Sequence, residues 1–132
     1  MAKRLTDTPQ IGKNGNGSFL DRKQMPFKLC IQEGLDRNFC FTTLSKDNLK
    51  SFETFIRETV ERNLSITEVD KLFLRTQGHG SNYCEETIKG IKRQVFHYGK
   101  DRKPFRIHGY FNEDGYFVIY KIDPNHKVHR SK

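Results

Sequence analysis

The clearest pattern along the chain lies near its end. Phe105, Ile107, Gly109 and Phe111 alternate with Arg106, His108 and Tyr110, which is a strand period with one apolar and one polar face. Asp114-Gly115 supplies a turn. With a two-residue Asp-Gly loop, Arg106 lies opposite Asp123 and His108 opposite Lys121, and Val118, Tyr120 and Ile122 join the apolar face. A type I turn through Asn112-Glu113-Asp114-Gly115 with a glycine bulge would shift that pairing by about one residue. Pro124 lacks a backbone donor and should end or edge the second strand. Asp123-Pro-Asn-His126 then presents His126 and Lys127 from a turn.

Upstream the period changes. Ser45 is a plausible N-cap, after which Leu49, Phe52, Phe55, Ile56 and Val60 recur at helical spacing with Lys50, Glu53, Arg57, Glu58 and Glu61 opposite. Ser65-Ile-Thr-Glu68 fits a capping box, and Val69, Leu72 and Phe73 carry a short helix to about residue 74. Residues 85–93 read as a third helix with Ile88 and Ile91 inward, weakened by Gly90. Residues 26–32 and 39–44 read as strands joined by a turn at 34–38, and 95–98 as another strand. Residues 76–82 read as a glycine-rich loop and 100–103 as a polar turn. Residues 1–25 are polar and glycine-rich, and they read as a flexible basic arm ahead of a single domain over 26–132. The fold expected is α+β: an antiparallel sheet of about five strands on two or three helices, its other face partly exposed and polar.

Charge sharpens this picture. The chain of 132 residues carries +8, unevenly spread. Residues 1–30 hold 6 basic and 2 acidic groups, residues 100–132 hold 8 and 4, and the middle is balanced at 10 of each. Basic ends on a neutral scaffold point to RNA or another nucleic acid as partner. No apolar run reaches the ~20 residues of a membrane helix. The basic start lacks an apolar signal core, so no secretory leader is expected. Three cysteines form neither a zinc pattern nor a disulfide framework, and a reducing cytoplasm fits them.

The chemistry-bearing groups concentrate in the terminal hairpin. His126 is the leading acid–base candidate, with Asp123 to orient it and Lys127 beside it. His108 is the second, on the polar face, and Arg106 could stabilise phosphate charge through its planar fork. Lys121, Arg75, His79, Tyr110 and Lys103 are candidate nucleic-acid contacts: cations for phosphates, a histidine between two glycines, and a ring for base stacking. His97 and His129 carry little functional signal. His108, Asp123 and His126 could also ligate a metal, but there is no His-Glu-x-x-His, no paired cysteine and no acidic cluster, so neither metal nor cofactor is expected.

Val69-Asp-Lys-Leu, Gly78-His-Gly, Arg106-Ile-His-Gly and Asp123-Pro-Asn-His126 together resemble small prokaryotic and phage proteins that end in an Arg-x-x-Gly strand followed by Asp-x-x-His. The resemblance covers roughly residues 65–130. More loosely, two helices followed by a curved sheet are similar to the RelE-type toxin ribonucleases. That likeness implies metal-independent RNA cleavage by Arg, Lys and His or Tyr on a sheet, and an antitoxin-like protein partner. The other function class the sequence allows is a non-enzymatic nucleic-acid-binding or partner-binding protein of a phage or mobile element.

Overall fold

The computed structural model describes residues 24–76 and 82–127. The arm up to Lys23 and the loop residue His79 lie outside them. Two helices, α1 (Lys46–Glu58) and α2 (Ile66–Phe73), precede most of the sheet. Both start where the sequence indicates. Ser45 and Ser65 each accept a hydrogen bond from the backbone N–H three residues on, and the Asn48 and Glu68 side chains reciprocate. The strands are β1 (Leu29–Cys30), β2 (Leu74–Arg75), β3 (Cys84–Ile88), β4 (Ile91–Tyr98), β5 (Arg106–Phe111) and β6 (Phe117–Asp123).

The class is α+β as expected, but the sheet is mixed. Its order is β1-β6-β5-β4-β2, with β3 also on β4. β1 runs parallel to β6, Leu29 beside Phe117 and Cys30 beside Val118. The N-terminal hairpin expected at 26–44 does not form. Residues 37–39 and 41–43 are 3-10 turns instead. Asp36 accepts from Asn38 N–H, and the Thr43 hydroxyl donates to the Cys40 carbonyl, so side chains satisfy the backbone locally and compete with a ladder.

The third helix is a hairpin. Lys89 and Gly90 take φ of 54° and 81°, the positive pair a two-residue hairpin turn needs, and Ile88 pairs with Ile91. Such a turn sets residues i and i+3 side by side, which imitates the i, i+3 spacing of a helix. β-branched Thr87, Ile88, Ile91 and Val95 then favour strand.

The terminal hairpin realises both expected registers in turn. Arg106 pairs with Asp123 and His108 with Lys121, while Gly109 pairs with Ile119 and Phe111 with Phe117. The shift between His108 and Gly109 leaves Tyr120 without a direct partner on β5. It also divides the apolar residues of β6 between two faces, against the single face expected. Phe117, Ile119 and Ile122 enter the main core with Phe27, Phe55, Ile66, Val69, Phe73, Tyr98 and Ile107. Val118 joins Ile88, Val95 and Tyr110 in a second cluster, with Tyr120 against it.

The face bearing the polar set is therefore covered, not exposed. Arg106, His108 and Asp123 are 7%, 1% and 1% exposed. Glu86 on β3 reaches across to Lys121 on β6, the two separated by 3.3 Å, which shows how far the β3–β4 hairpin curls over that face.

Candidate functional site

A cross-strand row runs over the curled face. Arg75 pairs with His97, His97 with His108, and His108 with Lys121. Cross-strand neighbours on one face bring their side chains together. The His97 and His108 rings stack at 4.9 Å with 10° between planes. His126 joins from the turn after β6, its ring centre 6.4 Å from that of His97.

Two residues beyond His97 on the same face stands Gly99. A Cβ there would fall 2.5 Å from the Phe105 carbonyl oxygen, 2.6 Å from Arg106 Nη1 and 2.7 Å from Arg106 Cδ. The missing side chain is what lets the Arg106 guanidinium lie across the end of β4. Arg106 Nη1 donates to the Phe105 and Lys103 carbonyls and, at 3.4 Å, to that of Lys100. Its Nε has no partner among the described residues, and neither has Arg75 Nε. Burial pushes Arg106 below the usual guanidinium range, and the like charge of Arg75 adds to it, while Asp123 and Asp101 act the other way. An arginine stays charged regardless, so two cations face each other with their charge incompletely matched. Among the described residues, Arg75 forms an ion pair with Asp101, at 3.7 Å.

These groups enclose a cleft of about 330 Å³ lined by Leu74, Arg75, Thr76, His97, Arg106 and His126. Asp123 stands behind it. Its carboxylate accepts the backbone N–H of Lys127 at 2.8 Å, which closes the turn that carries His126 at a φ of 57°. Asp123 thus shapes the turn from a buried position.

The candidates divide accordingly. Arg75, Arg106 and His126 meet at the cleft. His108 lies buried behind His97 and does not line it. His97, passed over in the sequence, lines the cleft in its place, although it is itself only 2% exposed. The signal was available, since alternation over residues 95–98 puts His97 on the same face as Val95, but its pairing with His108 is a long-range fact. Lys127 is exposed beside the turn. Lys121 is held by Glu86 and is not at the cleft. Tyr110 is only 1% exposed, so its ring offers no face to a base. Its hydroxyl donates to the Glu33 carboxylate at 3.0 Å and Arg93 covers its ring at 4.4 Å. Burial and the Glu33 carboxylate push its hydroxyl up to about 12. Lys103 contributes its backbone carbonyl to Arg106 and keeps its side chain exposed.

Comparison with known protein families, with curated proteins and with solved structures found no match to this chain.

Proposed function

We propose that the chain is a small nucleic-acid-directed protein that cleaves RNA at this cleft without a metal ion, in the manner of a toxin-like ribonuclease. The observation that carries the reading is the meeting of Arg75, Arg106, His97 and His126 around one polar cleft. Cations for the phosphate and imidazoles for the protons are the groups that internal phosphoryl transfer of RNA requires. The 2′-oxygen attacks the adjacent phosphorus and the bond to the 5′-oxygen breaks. His126 takes the 2′-hydroxyl proton. His97, as the imidazolium, donates a proton to the leaving 5′-oxygen. Arg106 and Arg75 stabilise the added negative charge on the phosphoryl oxygens. The products are a 2′,3′-cyclic phosphate and a 5′-hydroxyl.

The basic residues at both ends of the chain supply the general attraction to a polyanion. No helix among the described residues is long and apolar enough to cross a membrane. A toxin-like activity implies an inhibitory, antitoxin-like protein partner and a cytoplasmic substrate. One observation favours the non-enzymatic alternative: three backbone carbonyls hold Arg106 Nη1, the pattern of an arginine that supports a loop. In that reading the cleft binds phosphate and cuts nothing. Incubation of the purified protein with total RNA decides between them. Cleavage that persists in EDTA and leaves 2′,3′-cyclic phosphate ends supports the ribonuclease. Salt-dependent RNA retention with no new ends supports the binding protein.

A further inference from the structure

The turn between β4 and β5 carries an acid beside the arginines of the cleft. Lys103 N–H donates to the Lys100 carbonyl at 3.1 Å and closes that turn. Arg106 Nη1 donates to both the Lys100 and the Lys103 carbonyls. The turn that bears Asp101 is therefore tied to an arginine of the cleft itself.

The two oxygens of Asp101 reach two other arginines. Oδ1 lies 3.7 Å from Arg75 Nη1, and Oδ2 lies 3.9 Å from Arg102 Nε. Burial lowers the pKa of Arg106, and the charge of Asp101 acts against that, so the acid is within electrical range of this guanidinium too. Both ion pairs are longer than hydrogen bonds. Asp101 is 81% exposed at its side chain and is not among the residues that line the cleft. It sets negative charge beside the two cleft arginines and leaves the space between them open.

We propose that Asp101 is a specificity-determining residue, whose charge weakens the hold of the cleft on phosphomonoester dianions relative to the phosphodiesters of a strand. The inference rests on the cleft being a phosphate site. Two arginines alone favour the ligand with more negative charge. A carboxylate beside them repels a dianion twice as strongly as a monoanion in the same place. A phosphodiester carries one charge, whereas a phosphomonoester loses its second proton near pH ~6 and carries almost two above neutrality. Free mononucleotides present the same phosphoryl group as RNA, and Asp101 removes part of their electrostatic advantage. The same repulsion opposes the charge that cleavage adds, so the selection slows the chemical step.

The test is titration of the full chain with thymidine 5′-phosphate and with its methyl phosphodiester, by calorimetry or NMR, at low salt and pH ~8. The two ligands share a base and a sugar and differ by one charge. One unit charge a few ångströms away in water corresponds to about fivefold in affinity. Asp101→Asn should therefore bind the diester about fivefold tighter and the monoester about 25-fold tighter, a shift of about fivefold in their ratio. Asp101→Glu keeps the charge and should keep the wild-type ratio. Glu53→Gln removes the same charge from an exposed position on α1 and should keep it as well. An unchanged ratio in Asp101→Asn, with both ligands bound by the wild type, overturns the role of Asp101 and leaves the phosphate cleft standing. An equal shift in Glu53→Gln overturns it too, because the effect would then be one of net charge. Failure of wild type and Asp101→Asn to bind either ligand overturns both readings.

Discussion

At the scale of single residues, the site depends on what is missing as much as on what is present. Gly99 allows Arg106 to lie where a side chain would collide with it. Gly99→Ala forces Arg106 or the Phe105 carbonyl to move, which should cost roughly 1–3 kcal/mol of stability. RNA binding should fall with it, because Arg106 loses its aim. A variant that melts and binds like the wild type would show that Arg106 is not fixed by this approach. Tyr110 gives a pH test away from the cleft. Its folded value of about 12 exceeds the ordinary 10.0. The stability it contributes is fully present below pH ~10 and is lost as pH rises toward 12. Titration of tyrosinate absorbance should show one late tyrosine, and Tyr110→Phe should remove that step along with part of the alkaline loss of stability. The pairs Arg106–Asp123 and His108–Lys121 were legible in the sequence, because turn chemistry and face alternation agree on them. Their burial was not. Lys121 meets Glu86 of β3, and Arg106 packs against Gly99 and the carbonyls of Lys100, Lys103 and Phe105, contacts that the hairpin's own sequence does not announce.

At the scale of elements, the helices were legible because their starting signals are local. Ser45 and Ser65 close capping boxes that require only residues three positions on. The β3–β4 hairpin was misread as a helix because a two-residue turn brings Ile88 and Ile91 together at the spacing a helix would use. One substitution separates the two conformations by sign. In a helix, Gly90→Ala would stabilise by roughly 1 kcal/mol. At a φ of 81° it should destabilise by a similar amount, because alanine resists that conformation. Thermal melting checks it, and an increase in melting temperature would contradict the hairpin. The short β1 falls within the 26–32 stretch read as a strand, but its parallel pairing escaped sequence reading. Its partner β6 lies almost ninety residues away, and nothing local marks a parallel return.

At the scale of the molecule, the curl of the sheet leaves a cleft where an open polar face was expected. The consequence is a division of labour. His108 supports His97 from beneath by ring stacking, Asp123 closes the turn that carries His126, and Arg75 and Arg106 confront each other across the opening. The central claim is that His126 moves a proton at a phosphate held there, and matched cleavage assays test it most directly. Wild-type protein and His126→Ala, purified identically, are compared on one RNA in EDTA under single turnover. The account predicts that wild type cuts and that the variant is slower by the ~10²–10⁴ that general acid–base catalysis supplies, with nearly unchanged melting because His126 is a half-buried turn residue. Equal rates for the two proteins would contradict it.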